Sequence, residues 1–233
     1  MKALILAGGK GTRMLSLTKN CPKSLVEVNN RPFLWFIMDT FKKAGINEFF
    51  IIFGSKRSKF ENFLKKFNLK ATLIFQKKPL GTGNAVKIAK NFLKNQQFLV
   101  TAGDHLFSVQ DIMSLIKCKS ENCLTTLCVD NPQKYGVLDI KNRKLLRIIE
   151  KPIISGPALI NASLYKFNPI IFKYLDLIKL SPRNEYELTD AVSLMAQDFP
   201  VHIRKIKDFW IDFGTIADIP KVDKNLKDIG YSL

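Results

Sequence analysis

The amino-acid sequence predicts an α/β fold built on a mixed, mainly parallel sheet flanked by helices. Two patterns predict it. Through the first half, short apolar runs alternate with longer helical periodicities, the order expected where parallel strands are joined by helical crossovers. After about residue 120 the alternation gives way to closely spaced strand-like runs, which extend the same sheet. The arrangement is Rossmann-like, and the second half reads as an extension closing over one end of the sheet.

Taken in order, Lys2–Leu6 reads as a strand running into glycines. Residues 32–44 (PFLWFIMDTFKKA) read as a helix, with proline near the start and Gly45 just past the end. Glu48–Phe53 is predicted as a strand, 56–67 as an amphipathic helix, 71–76 as a strand, 84–93 as a helix and 97–102 as a strand. Strand-like runs follow at 124–129, 136–140, 145–149 and 159–167. Helices are predicted over 169–177 and 185–197, a strand over 201–206, and a last helix near 215–228. There is no long linker, low-complexity tract or internal repeat. The expectation is a single domain over 1–233, with halves at 1–120 and 121–233.

The 233 residues are 46% hydrophobic, enough for one well-packed core. No run of roughly 18 apolar residues occurs, so no transmembrane helix is expected. The opening MKALILAGGKGTR is too short in its apolar stretch for a signal peptide, and a cytoplasmic location is expected. The four cysteines (Cys21, Cys118, Cys123, Cys128) form no C-x-x-C pair, and only His105 and His202 could complete a zinc site. Cys123 and Cys128 are expected to act as small core residues. The net charge of +17 raises nucleic-acid binding, but the lysines are spread over the chain with no basic block interleaved with aromatics. A cleft for phosphorylated substrates suits the same charge.

The chemistry-bearing residues begin at Leu6-Ala7-Gly8-Gly9-Lys10-Gly11-Thr12-Arg13. Glycines let the backbone approach a ligand and aim N–H groups at phosphate oxygens. Met14 breaks the dinucleotide pattern G-x-G-x-x-G, and Gly11 after Lys10 breaks the P-loop pattern. Lys23 follows in Cys21-Pro22-Lys23-Ser24-Leu25. Bringing two phosphate groups together needs cations aimed at the reacting phosphorus.

The segment GGKGTRMLSLTKNCPKSLVEVNNRPFL resembles the sugar-1-phosphate nucleotidyltransferase (nucleotide-sugar pyrophosphorylase) family, whose hallmark is G-x-G-T-R, a P-K pair and a helix. In pattern the chain is nearest to glucose-1-phosphate uridylyl- and thymidylyltransferases and to the N-terminal domain of N-acetylglucosamine-1-phosphate uridylyltransferase. The resemblance implies that Arg13 and Lys23 hold the triphosphate and the attacking phosphate. It also implies that Leu6, Ala7, Gly8, Gly9, Gly11 and Thr12 line the nucleotide.

Nearly the whole chain carries the resemblance. Gln76 ends the third predicted strand before Leu80-Gly81-Thr82-Gly83, and in pyrimidine-using members a glutamine here reads the uracil or thymine edge. Gly81 and Thr82 belong to the same nucleotide site. Asp104, in Ala102-Gly103-Asp104, takes the place of a magnesium-binding aspartate at the nucleotide, and Asp212, in Trp210-Ile211-Asp212-Phe213-Gly214-Thr215, is its partner. Gly8, Gln76 and Asp104 each follow the carboxyl end of a predicted strand, where open α/β sheets bind ligands. By resemblance, Gly136, Glu150 and Asn161 bind sugar hydroxyls and Lys151 meets the sugar phosphate. Arg183–Asp190 has two readings of equal standing: direct contact, or a capped helix supporting the site.

Ser16 stands where the family has proline, Ser163 where it has glycine and Ile216 where proline is common. His105 is read as structural and His202 as irrelevant to function. The resemblance implies Mg²⁺-assisted in-line attack of a sugar 1-phosphate on the α-phosphate of UTP or dTTP, releasing pyrophosphate. A glycosyltransferase is the first rival, but it would carry D-x-D where this chain has Gly103-Asp104-His105. A non-catalytic relative should lack the arginine, the lysine or an aspartate, and all are present. No C-terminal β-helix domain, membrane partner or nucleic-acid partner is expected; the oligomeric state is left open.

Overall fold

The computed structural model describes residues 1–9 and 20–231. The sheet grows from strand β1 (Lys2–Leu6), a 3₁₀ turn at Lys23–Leu25, and a small antiparallel pair, β2 (Glu27–Val28) with β3 (Arg31–Pro32). Helix α1 (Phe33–Lys43) follows Pro32, whose φ of −56° already suits a helix entrance. It ends at Gly45, which takes the left-handed φ of 91° while its N–H and that of Ile46 cap the carbonyls of Lys42 and Phe41.

Next come β4 (Glu48–Phe53), α2 (Arg57–Lys66), β5 (Thr72–Phe75), α3 (Thr82–Ile88), the single turn α4 (Lys90–Leu93) and β6 (Phe98–Ala102). β1 pairs in parallel with β4 and β6, and β4 with β5. Period-2 alternation buries both faces of these strands. Ala3, Ile5, Phe49, Ile51 and Phe53 enter the core shared with α1 and α2, whereas Leu4, Phe50 and Ile52 enter the core under α3. The predicted helix over 84–93 is thus two pieces, and it starts earlier, at Thr82.

The second half adds β7 (His105–Phe107), α5 (Val109–Ile116), β8 (Cys123–Val129), β9 (Gly136–Lys141), β10 (Lys144–Glu150) and β11 (Ala158–Phe167). Then follow α6 (Ile171–Leu175), α7 (Leu188–Asp198), β12 (His202–Lys205), β13 (Trp210–Asp212) and α8 (Ile219–Asp228). Among the described residues the main sheet has nine strands, with β11 antiparallel to β6 and its order continuing to β9 and β10. β11 also pairs with β8, which carries β12 in parallel. The result is the mixed, mainly parallel α/β architecture read from the sequence.

Along one edge β11 meets β9 and then β6, and along the other its pairing with β8 shifts register between Asn161 and Tyr165. Before the shift Ile160 faces Val137 of β9; after it Leu164–Phe167 run along β6. Ser163, at the shift, has φ 64°, the left-handed conformation for which glycine is favoured.

Of the cysteines expected in the core, Cys123 is buried and lies 2.7 Å, sulfur to sulfur, from buried Cys118. Cys128 is exposed, contrary to expectation: it lies where the outward face of β8 emerges from under its neighbours. Among the described residues no helix is long and apolar enough to cross a membrane.

Candidate active site

The carboxyl ends of the parallel strands are drawn together by backbone bonds. Ala7 N–H donates to Ile52 O, Gly103 N–H to Leu6 O, and Gln76 N–H to Phe53 O. Packing here is close enough that a Cβ on Gly54 would stand 2.7 Å from Gly8 O. Above these ends opens a cleft of about 740 Å³. Leu6, Gly8, Gly9, Gln76, Gly81 and Thr82 line it from the first half of the chain. Gly136, Glu150, Lys151 and Asn161 line it from the second half, and Asp104 and Asp212 also reach it. Ala7 and Lys23 instead line a neighbouring pocket of about 240 Å³ that shares Gly8 and Gly9 with the cleft. Gly11, Thr12 and Arg13 fall outside the described residues.

Asp104 and Asp212 are brought together by a short antiparallel pair, β7 with β13, in which Asp212 stands opposite His105. Phe213 N–H donates to Asp104 O at 2.9 Å and locks the crossing. Lys23 Nζ donates to Asp104 Oδ2 at 2.6 Å, and Tyr135 OH donates to Asp212 Oδ2 at 2.8 Å. His105, read as structural from sequence, lies inside this cluster: its Nε2 is 3.5 Å from Asp212 Oδ1 and 3.9 Å from Asp104 Oδ1. Burial works to raise the Asp212 carboxyl, but the bond and charge of His105, the Tyr135 hydroxyl and the Lys23 charge together hold it well below the usual range. Two partly buried carboxylates converging on one point are a hard-oxygen donor set for a divalent cation.

Gln76 is 5% exposed. Its Nε2 donates to Gly81 O at 3.2 Å and to Asn84 Oδ1 at 2.9 Å. Both amide hydrogens are therefore engaged, and Oε1 is turned toward Gly8, where a Cβ would stand only 2.9 Å from it. Gly81 itself has φ 96°, and the segment around it is tied to the second half: Gly83 N–H donates to Tyr186 O, and Tyr186 N–H to Leu80 O.

On the opposite wall, Asn161 Oδ1 accepts from Ser163 N–H while its Nδ2 donates to the Tyr165 hydroxyl, so this side chain is fixed by its own strand. Lys151 adopts φ 47° and its N–H donates to Tyr135 O, which holds it at the rim in a left-handed conformation. Arg183, Glu185 and Glu187 also line the cleft. The Arg183 guanidinium meets Glu150 at 3.3 Å and both Glu185 and Glu187 at 3.1 Å. Burial, aided by Glu150 and Glu185 and opposed by Arg183, raises the Glu187 carboxyl. The segment thus reaches the cleft directly. Tyr135 and Asn84 were given no role from sequence, since their roles lie in contacts with other parts of the fold.

The profile of the nucleotidyl transferase family matches residues 2–229. The chain belongs to this family. The bifunctional sugar-1-phosphate nucleotidylyltransferase/acetyltransferase of Sulfurisphaera tokodaii is 40% identical over 96% of this chain and 55% of its own length. The low-salt glycan biosynthesis nucleotidyltransferase Agl11 of Haloferax volcanii is 31% identical, over 99% of this chain and 69% of its own. A solved structure named as a glucose-1-phosphate thymidylyltransferase, from Bacillus anthracis, superposes with a TM-score of 0.87 at 27% identity, covering 99% of this chain and 97% of that one. The chain spans about half the length of several curated relatives that it matches. Among nucleotidyl transferases it is similar to those named for sugar-1-phosphate substrates.

Proposed function

We propose that this chain joins a sugar 1-phosphate to UTP or dTTP, forming a nucleotide sugar and releasing pyrophosphate. The observation that carries the reading is the cleft at the strand ends. It has a glycine-lined wall with an amide acceptor at Gln76 on one side, and Glu150, Lys151 and Asn161 on the other. The carboxylates of Asp104 and Asp212 reach the same cleft.

In this reading an oxygen of the sugar phosphate attacks the α-phosphorus in line, and pyrophosphate leaves. The attacking oxygen is already anionic, so no side chain need act as a general base. The residues position two anions and neutralise charge. Lys151 holds the sugar phosphate. Lys23 and Arg13 hold the triphosphate side. The backbone from Leu6 to Gly9, with Gly11 and Thr12, lines the nucleotide; Gly81 and Thr82 hold its base end. Glu150, Asn161 and the Gly136 backbone receive sugar hydroxyls. Asp104 and Asp212 would hold Mg²⁺, which supplies charge neutralisation at the phosphates when bound.

The choice of base rests on Gln76. With both amide hydrogens engaged, Oε1 can only accept. Uracil and thymine present a ring N–H to such an acceptor and cytosine does not. A screen of pyrophosphate release, nucleoside triphosphates against sugar 1-phosphates, tests the proposal. Release that needs both a pyrimidine imide triphosphate and a sugar 1-phosphate supports it; release with neither, or a purine as best substrate, overturns it.

A further inference from the structure

Resting on the reading of Asp104 and Asp212 as a cation site, we propose that His105 is its third ligand through Nε2, and that the site prefers first-row transition ions such as Mn²⁺ or Co²⁺ to Mg²⁺.

His105 is 8% exposed, and its ring is wedged edge-on against Trp210, with centroids 5.2 Å apart. Nδ1 lies 3.0 Å from Ala162 O. A carbonyl oxygen only accepts, so Nδ1 carries the hydrogen. That bond fixes the ring's orientation, and an ion bound at Nε2 would displace the hydrogen through which the charged ring meets Asp212. The bond leaves Nε2 pointing at the two carboxylates. A histidine that donates one nitrogen's hydrogen to a backbone carbonyl and turns the other toward carboxylates has the arrangement by which proteins orient imidazole ligands.

The distances agree. Donors bound at about 2.1 Å to one ion stand at most about 4.2 Å apart. His105 Nε2 is 3.5 Å from one aspartate oxygen and 3.9 Å from the other, both inside that limit, and the trio, within 4.8 Å overall, would close by at most about 0.6 Å onto an ion. Backbone pairing holds them: His105 sits opposite Asp212 on β7 and β13, and Asp104 precedes it. Two carboxylates alone suit Mg²⁺. An added imidazole nitrogen suits first-row transition ions, whose affinity for nitrogen donors rises from Mn²⁺ toward Co²⁺ and Ni²⁺.

The test uses the unmodified protein labelled with ¹⁵N-histidine and loaded with Mn²⁺, with and without UTP. Pulsed electron paramagnetic resonance should detect a directly bound nitrogen, retained when the exposed His202 is changed to glutamine. In His105→Gln, if the protein melts normally, Mn²⁺ and Co²⁺ affinity should fall by about tenfold or more while Mg²⁺ affinity changes far less. Mn²⁺ bound through oxygen alone would overturn the role of His105, whatever the variant does. If pyrophosphate release still required both substrates, the nucleotidyl-transfer reading would stand without it. Absence of both metal binding and pyrophosphate release would overturn both.

Discussion

Lys23, in the smaller pocket, and Asp104, in the cleft beside it, are 81 residues apart in sequence and form an ion pair of 2.6 Å. The lysine side chain is 12% exposed and the aspartate 28%. A cation therefore already faces the carboxylate that the proposed reaction needs for a metal ion. The two positive charges compete for Asp104, and a triphosphate that draws Lys23 away would free the carboxylate.

Lys23→Met should separate these roles. Turnover should fall about a hundredfold, on the order of 3 kcal/mol for one lost preorganised charge. Affinity of the nucleotide-free protein for Mn²⁺ should rise, by about tenfold or 1.4 kcal/mol. Calorimetric titration together with a pyrophosphate assay reads both. Unchanged metal affinity would show that Lys23 and the metal do not compete.

Removing the metal should be decisive for the proposed chemistry. Excess EDTA should abolish pyrophosphate release, and a divalent salt added back beyond the chelator should restore it. Undiminished turnover in EDTA would remove Asp104 and Asp212 from the reaction.

Ser163→Gly should stabilise the fold. The left-handed backbone at φ 64° costs a non-glycine residue about 1–2 kcal/mol. Glycine's extra freedom in the unfolded chain takes back about 0.5–1 kcal/mol. The net gain of about 0.5–1 kcal/mol should raise Tm by about 2 °C in a chain of this size. Calorimetry checks it, and a lower Tm would mean that the serine hydroxyl outweighs the backbone strain.

Gly81→Ala should do the opposite. The added Cβ would stand 2.6 Å from Tyr186 O, a backbone atom already held by Gly83 N–H, and φ is 96°. Neither side can give cheaply, so a loss of about 2 kcal/mol or more is expected. Gly9→Ala is the control: among the described residues no atom lies within 4 Å of its added Cβ, and stability should stay within about 0.5 kcal/mol. Equal melting of the two variants would refute the argument.

The parallel half of the sheet was legible because each strand's apolar run and each helix's period are local signals. α5 was not read, although Ser108 caps it by accepting from Asp111 N–H, a Ser-x-x-Asp spacing visible in the sequence. β7 and β13 were missed for a different reason. Three-residue strands show no periodicity, and each exists only because the other is brought beside it. The residues gathered around the cleft were legible by type and position. Their pairing was not: Lys23 with Asp104, Tyr135 with Asp212, and Gln76 with Asn84 are contacts across the fold. The Ala162 carbonyl that orients the His105 ring, 57 residues further along the chain, is likewise a contact across the fold.

Gln76 gives the last prediction. Its Nε2 is held by Gly81 O and Asn84 Oδ1, so the amide cannot flip without losing both bonds. Oε1 then selects bases with a ring N–H at the matching place. Cytosine would leave that oxygen without a donor, a penalty of about 1–3 kcal/mol, or roughly ten- to hundredfold against CTP. Neither the methyl of thymine nor the ribose 2′-hydroxyl touches this contact, so UTP and dTTP should both be used. Gln76→Ala should lose the discrimination. Asn84→Leu should weaken it by releasing the amide, whereas Asn84→Asp, which keeps an acceptor for Nε2, should retain it. Competition among the common triphosphates measures all four proteins. Full pyrimidine selectivity in Gln76→Ala, or equal loss in the two Asn84 variants, would remove Gln76 and its anchor from base choice.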